Sequence, residues 1–221
     1  MPYFEHQNNA YSHKSMQVGG ATPFIIDPQL LKMRLIGGIV KNNLAEGEKV
    51  AAGTTFNFNA STHEVKFLKV WEVKSVSSDA SSGDTTIVIK KTFQTPVIKA
   101  DTVIMVAPSA IDGTGKAVAA GTVTEGTDTY TITVDTSSID SVEAGTLLVE
   151  AAAAGASKGM YCQPNNILHR DFIAGNQQNL GDAVWGFFHA YINTINPIPA
   201  AVLANLNDGI VPVWEYFAEK D

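Results

Sequence analysis

The stretch that decides the fold runs from Ser157 to Trp214: SKGMYCQPNNILHRDFIAGNQQNLGDAVWGFFHAYINTINPIPAAVLANLNDGIVPVW. It holds two of the three tryptophans, the only cysteine and two of the five histidines. Two dense apolar runs are separated by a polar loop, and a proline-rich turn with a short helix at Ala200–Asn205 follows them. Because apolar runs of this density need burial, we expect this stretch to anchor the segments that precede it.

The preceding chain is rich in threonine, valine and isoleucine, which favours β-strands. Ile36–Lys41 and Thr54–Asn59 are predicted strands, and we expect them to pair with the anchoring stretch. Val65–Val76 and Thr85–Lys91 are predicted to form a hairpin. Val65–Val76 carries bulky side chains on both faces, so we expect it to be covered twice. Further short strands at intervals of about 8–12 residues indicate a sandwich or barrel.

The later part of the chain gives a second set of expectations. Glu150–Lys158 is predicted to be a linker, because Gly155 interrupts a run too short for a stable helix. Ile167–Ile173 and Asp182–Ile192 are predicted strands. Ile210–Phe217 is predicted to be an edge strand, since a proline within it cannot donate to a central ladder.

A short pattern, V-x-A-G-T, occurs three times, at Val50–Thr54, Val118–Thr122 and Val142–Thr146. The physical interpretation is a turn that needs a positive φ at glycine, followed by a β-branched threonine that begins a strand. The three copies are unevenly spaced, so the pattern predicts a shared turn and not a solenoid.

Composition narrows the class of protein. The chain has 221 residues, 45% hydrophobic and 17% charged, with a net charge of −7. That charge argues against a nucleic-acid partner, because such domains are usually basic. A single cysteine leaves no intrachain disulfide. No apolar run reaches the roughly 18 residues of a membrane span, and the first residues lack the features of a signal peptide, so we expect synthesis in a cytosol and no membrane partner.

Two motifs resemble catalytic signatures but are incomplete. His169-Arg170-Asp171 matches the start of a kinase catalytic loop, but the other kinase motifs are missing. The segment Asp112–Lys116 resembles a phosphate loop, but Ala110 and Ala117 stand where the motif needs glycine and a hydroxyl residue. We interpret the first as an ion pair and the second as a hairpin turn.

Other candidate groups are scattered along the chain. His63, His169 and His189 have no metal-binding spacing, and Cys162 has no neighbouring base. The carboxylates give no pair that could be assigned to hydrolysis without knowledge of the fold. We therefore expect no cofactor, no metal and no enzymatic activity.

Two sets of aromatic residues are candidates for contacts. Trp185, Phe187 and Tyr191 fall on one face of the predicted strand, and they form either core or a subunit interface, where aromatic residues are enriched. Both faces of that strand are apolar, which favours an oligomer. The arm 1–35 carries Tyr3, Phe4 and Tyr11; this arm either frays before a segment that lies on the core or orders on a partner.

The anchoring stretch resembles phage head fibre and head decoration proteins. The resemblance covers roughly residues 36–60 and 160–217. It is carried by Ile167-Leu168-His169-Arg170-Asp171, by the apolar strand Val184–Ile192 and by the turn and helix at Ile198–Leu206, together with the early strands Gly38–Lys41 and Ala52–Thr54. The middle of the chain is similar, more loosely, to β segments of phage virion proteins.

This resemblance implies a non-enzymatic accessory protein on the outer surface of the head. The implied partners are the major capsid protein and further copies of the chain, as a trimer made in the bacterial cytoplasm. It implies a mainly β fold with two small sandwich-like or barrel-like domains. Residues 36–63 plus 157–221 would form a discontinuous base, residues 64–156 an inserted β domain, residues 1–35 an extended capsid-docking arm, and a short helix would lie near the C-terminus.

Two other functions compete with this one. The insert could bind host or mucosal glycans, with Trp71 and Tyr130 as the aromatic platform, although both residues are better explained as core. A hydrolase would need titratable side chains gathered in one cleft, and the spacing of these residues indicates none.

Overall fold

In the computed structural model of the protein, β-strand is the main secondary structure. The described residues are 24–25, 34–42, 44–79, 84–168, 171–175, 179–185, 188–191, 195–207 and 210–213. In chain order the strands are β1 (Phe24–Ile25), β2 (Arg34–Val40), β3 (Lys49–Val50), β4 (Thr55–Asn59), β5 (Glu64–Phe67), β6 (Val70–Asp79), β7 (Asp84–Lys90), β8 (Val103–Val106), β9 (Gly115–Ala119), β10 (Val123–Glu125), β11 (Thr129–Asp135), β12 (Leu147–Glu150), β13 (Gly155–Lys158), β14 (Asn166–Ile167), β15 (Phe172–Ile173), β16 (Asn179–Trp185), β17 (Phe188–Tyr191) and β18 (Ile210–Val213). The fold is therefore mainly β, as predicted.

These strands form four sheets. The middle of the chain builds an eight-stranded sheet in the order β10-β11-β7-β6-β12-β8-β9-β13. A five-stranded sheet, β14-β4-β5-β2-β16, joins early and late strands. Two smaller sheets have the orders β1-β17-β18 and β15-β3. A four-residue helix, α1 (Ala200–Leu203), begins directly after Pro199, which confirms the predicted short helix.

The pairing expected between the anchoring stretch and the early strands is confirmed. β16 pairs antiparallel with β2, and β14 pairs antiparallel with β4. β15 pairs with β3 in the same way. The predicted hairpin of the insert is also present, as β6 and β7. β18 lies at an edge of its sheet, as its proline predicts, and pairs in parallel with β17.

The prediction of one long strand over Val65–Val76 is wrong. The chain leaves the five-stranded sheet after Phe67 and enters the eight-stranded sheet at Val70. Between them, the Leu68 N–H donates to the Thr55 carbonyl oxygen at 2.9 Å, and the Lys69 carbonyl accepts from the Glu150 N–H at 3.0 Å. The bulk on both faces of this segment reflects a passage from one core to another, and not a single strand covered twice.

Three hydrophobic clusters explain why the chain crosses here. One lies in the five-stranded sheet and contains Val65 and Phe67. Another lies within the eight-stranded sheet and contains Trp71 and Val73. The third joins the two sheets. Its buried members are Leu68, Val70, Met105, Ala117, Val149, Ala151, Met160, Cys162, Ile167, Ile195, Ile198 and Val202.

Three further sequence predictions need correction. Residues 155–158 of the predicted linker form the edge strand β13, which pairs with β9. The predicted strand Ile167–Ile173 contains the two strands β14 and β15, and Asp182–Ile192 contains most of β16 and all of β17. In both cases the two pieces belong to different sheets. The division at residues 63/64 and 156/157 stays a prediction, while the sheets themselves change at Leu68–Lys69 and after Lys158.

The repeated V-x-A-G-T turn uses its glycine in two different ways. Gly53 and Gly145 have φ of +90° and +86°, as predicted. Gly121 does not belong to the positive-φ glycines, so the prediction is wrong there. A Cβ at Gly121 would lie 3.0 Å from the Thr133 Oγ1 atom, which makes close packing the reason for that glycine.

Gly53→Ala is expected to destabilise the protein more than Gly145→Ala. Both positions strain an L-residue by about 1–2 kcal/mol, but a Cβ at Gly53 would lie 2.6 Å from Ile195 Cγ2, whereas nothing lies within 4 Å at Gly145. Overpacking adds about 1–3 kcal/mol at Gly53 alone. Urea unfolding of the two variants measures the difference, and equal losses would contradict a close contact between Gly53 and the shared cluster.

Candidate functional site

An ionic cluster lies at the junction between the two large sheets. The Glu48 Oε1 atom accepts from Lys69 Nζ at 3.0 Å, and Oε2 accepts from Lys99 Nζ at 2.9 Å. The Ala45 N–H also donates to Oε2, at 3.1 Å. The Glu48 side chain is only 6% exposed and that of Lys69 14%. One carboxylate therefore joins the loop before β3, the crossing segment and the loop before β8.

The pKa of Glu48 is held below its ordinary value. Burial raises this pKa, but the hydrogen bonds from Lys99, Lys69 and the Ala45 N–H lower it by more. A carboxyl whose folded-state pKa is depressed contributes stability above its unfolded pKa. That contribution is lost as pH falls through the folded-state value.

Glu150 lies near the same cluster, but its pKa is raised, whereas that of Glu48 is lowered. Its Oε2 atom is buried and has no hydrogen-bond partner among the described residues. Burial raises the pKa of Glu150, the Lys69 charge lowers it in part, and the Glu48 charge raises it. The pKa of Tyr161 is also raised, mainly by burial and to a smaller extent by the Glu150 charge. The junction thus contains one glutamate with partners on both carboxylate oxygens and one with a buried oxygen that has no partner.

A rigid turn beside this cluster exposes an aromatic side chain. Thr92 and Thr95 close the turn, with the Thr92 N–H donating to Thr95 Oγ1 at 3.0 Å and the Thr95 N–H donating to the Thr92 carbonyl at 3.2 Å. Trp71 Nε1 donates to the Pro96 carbonyl oxygen at 2.9 Å. Phe93 is 62% exposed on this turn, and Val97 is 36% exposed. The apolar side chains are therefore presented by a fixed backbone.

The loop between β7 and β8, which carries these side chains, lies beside the two-stranded sheet of β3 and β15. Lys49, Gln94 and Val97 line one shallow depression at the junction. Ile173 pairs with Lys49 across β15 and β3 and is 66% exposed. We define the junction surface as Phe93, Val97, Lys49 and Ile173. Lys49 is neutralised by Asp171 at 2.6 Å.

The candidate aromatic residues of the predicted interfaces are only partly within the described chain. Tyr3, Phe4, Tyr11 and Phe187 lie outside the described residues. Trp185 belongs to β16 and Tyr191 to β17, and these strands are in different sheets. Their role as an oligomer interface stays a prediction.

The residues named for glycan binding and for the incomplete kinase motif are partly within the described chain. Trp71 and Tyr130 are 0% and 3% exposed, so both are core residues, as expected, and neither forms an aromatic platform. His169 and Arg170 lie outside the described residues. The Asp171 Oδ1 atom accepts from the Ala52 N–H at 2.8 Å.

Two further sequence interpretations are confirmed. The segment Asp112–Lys116 completes the hairpin turn between β8 and β9 and begins β9 at Gly115, with the Gly113 N–H donating to the Ala110 carbonyl at 3.0 Å. Cys162 is buried, and burial raises the pKa of its thiol to about 12. Its sulfur lies 3.2 Å from the Lys66 carbonyl oxygen. A thiol of this kind is not a nucleophile at neutral pH.

Sequence reasoning missed Glu48, Glu150 and Phe93. Nothing near Glu48 in the sequence predicts its lysine partners, because Lys69 is 21 and Lys99 is 51 residues away. A signal did exist for the turn, since two threonines flank Phe93 and Pro96 follows them, a composition typical of ordered turns.

Glu48→Gln is expected to lower the free energy of unfolding at pH 7 by about 3 kcal/mol, the lower end for breaking a buried ion pair. The substitution removes the negative charge of Glu48, with which both Lys69 and Lys99 are paired. Glu125→Gln is the matched control, because Glu125 pairs with Lys91 while 60% exposed and solvent screens that pair. Urea unfolding measures both variants. An equal loss of unfolding free energy would show that the Glu48 ion pairs stabilise the protein no more than an exposed pair does.

Glu150→Gln is expected to stabilise the protein at pH 7 by about 1 kcal/mol, because it removes a buried charged acceptor without a partner. The raised pKa means that the native protein loses stability as pH rises from the ordinary glutamate value through the folded-state value. The advantage of the variant should therefore shrink at pH 4. Unfolding at both pH values measures it, and a larger advantage at pH 4 would contradict the assigned direction.

Within the described part of the chain, no helix is long and apolar enough to cross a membrane. The same residues gather no group of three or more histidine, cysteine, aspartate or glutamate side chains that could hold a metal ion. No protein-family model matches this chain, and no curated protein or solved structure matches it either.

Proposed function

We propose that this protein is a non-enzymatic phage virion protein that binds the outside of the capsid as a head fibre or decoration protein. The resemblance of residues 36–60 and 160–217 to that family supports the proposal. The partner is the major capsid protein, and the protein acts as a homo-oligomer, a trimer, on the outer surface of the head. Its net charge of −7 favours solubility of an exposed coat.

The observation that carries the proposal is the apolar junction surface. Phe93 and Ile173 are more than half exposed, and Phe93 stands on a turn closed by its own hydrogen bonds. Because the backbone of this turn is already held, ordering it on binding costs little entropy. Its surroundings also favour a protein partner, because Lys49 and Lys99 are paired with carboxylates of the same chain and bring no unpaired charge to a contact.

The arm supplies a second contact in this proposal. Tyr3, Phe4 and Tyr11 dock on the capsid lattice, while the junction surface covers a neighbouring site. Three copies of each contact raise the avidity of interactions that are weak singly. Trp185, Phe187 and Tyr191 hold the trimer.

Co-sedimentation with capsids that lack the protein tests this proposal. The double variant Phe93→Ser/Ile173→Ser is expected to bind at least about tenfold more weakly, as the loss of interface anchors does. Val88→Thr is the control, because it removes a half-buried apolar side chain from the outer face of the eight-stranded sheet.

Two further measurements separate the parts of the proposal. A chain without residues 1–20 should stay folded and lose capsid binding. Light scattering of all variants should give a trimer at micromolar concentration, and a monomer would contradict the trimer. Wild-type affinity for capsids in both the double variant and the truncated chain would overturn the proposed docking, and a wild-type protein that does not co-sediment would overturn the function.

A further inference from the structure

The shallow depression beside the turn that carries Phe93 has a polar lining. Its empty volume is about 290 Å³, part of it open to solvent. Pockets for drug-sized ligands begin at about 300 Å³, so the depression is of a size for one protein side chain and not for a larger molecule. The polar side chains that line it, apart from the ion-paired Lys49, are Glu48, Thr54, Lys69 and Gln94.

Two of these side chains are buried and have no hydrogen-bond partner. Gln94 is 7% exposed and Thr54 is 6% exposed. The hydrogen bonds of both residues are made by their main chains, and neither side chain donates to or accepts from another described residue. Buried polar side chains are paired in most native structures, because an unpaired one costs free energy. Two unpaired side chains on one depression therefore indicate a site that a bound group completes.

The polar atoms of Gln94 and Thr54 reach the open space of the depression. They do not belong to the side-chain atoms of the described residues that are both unpaired and sealed from solvent. The ammonium group of Lys69 adds donors to the same space, because it carries three N–H groups and its hydrogen bond to Glu48 uses one of them. The depression thus offers donors from Lys69, acceptor oxygens from Thr54 and Gln94, and an amide on Gln94 that does both.

The charges at the depression favour a neutral group. Glu48 is buried and already accepts hydrogen bonds on both carboxylate oxygens. A second carboxylate beside it would be repelled at short range, where solvent screens little. The charged groups at and near the depression are three lysines and three carboxyl groups, namely Lys49, Lys69, Lys99, Glu48, Asp171 and Glu150. A carboxamide is neutral and carries both an acceptor oxygen and two N–H donors, which match the unpaired groups.

We propose that the depression receives an asparagine or glutamine side chain of the protein that covers the junction surface. The carboxamide of that side chain pairs with the amide of Gln94, while Phe93, the preceding residue of the same turn, makes the apolar contact outside. The inference rests on the proposed capsid contact and adds the chemistry by which the partner is recognised. A partner with an apolar side chain at this point would leave Gln94 and Thr54 unpaired in a closed interface, and such a loss discriminates strongly between ligands.

Titration of the full-length protein with propionamide tests the inference, and propionate is the anionic probe of the same shape. Backbone amide signals of residues 92–95 in NMR spectra report binding. Propionamide is expected to shift them saturably in the millimolar range, the affinity of a ligand with so few atoms, and propionate to bind more weakly. Gln94→Leu and Thr54→Val should each weaken propionamide binding and co-sedimentation with capsids by about tenfold or more, because each removes a hydrogen-bonding group and keeps the side-chain size.

Gln163→Leu is the matched control, since Gln163 is exposed and does not line the depression; it should bind propionamide and capsids as the wild type does. Circular dichroism and urea unfolding verify that the variants fold. The inference is overturned if propionamide gives no saturable shift, if propionate binds more tightly, or if Gln94→Leu and Thr54→Val bind propionamide or capsids as the wild type does. The titrations need no capsid, so their failure leaves the co-sedimentation of the wild type to decide the proposed function.

Discussion

The passage of the chain from one sheet to the other at Leu68–Val70 is the constraint on which the rest of the structure depends. Leu68 and Val70 are 1% and 3% exposed, and both lie in the cluster that joins the sheets. Asn196 Nδ2 donates to the Val70 carbonyl oxygen at 2.7 Å, so the anchoring stretch holds the crossing through a hydrogen bond as well as through packing. Backbone groups at a sheet boundary need such partners, because no ladder satisfies them there.

Asparagine side chains repeat this role around the base. Asn42 donates to the Phe67 carbonyl and accepts from the Phe67 N–H, and Asn165 accepts from the Phe58 N–H and donates to its carbonyl. Each amide takes the place of a strand neighbour at a point where the ladder ends. Together with the Glu48 pairs at the junction, these contacts satisfy many polar groups around the apolar cluster. Among the described residues, the buried side-chain atoms left without a partner are Glu150 Oε2, Thr55 Oγ1 and Asn207 Nδ2.

Local pattern predicted much of the fold, and the reason is that strand alternation is a local property. It predicted the mainly β class, the hairpin of β6 and β7, the helix after Pro199 and the partnership of Ile36–Asn59 with the anchoring stretch. It failed at Leu68–Lys69, because the adjacent apolar pairs Phe67-Leu68 and Val70-Trp71 fit one strand covered on both faces as well as they fit a change of core. The ionic cluster and the exposure of Phe93 depend on distant residues, which alternation does not report. Gly121 shows the same limit, because glycine is needed there for close packing against a neighbouring strand and not for a positive φ.

The positions at which the chain enters and leaves the eight-stranded sheet lie side by side. Val70 on the incoming strand pairs with Val149, and the chain departs at Met160, which bridges to Ala151. The intervening residues therefore form a cassette whose two ends are already close together, and closing such a loop costs little more entropy for a long segment than for a short one. The length of the intervening segment can thus vary at small entropic cost, provided that its two ends keep their packing in the cluster that joins the sheets.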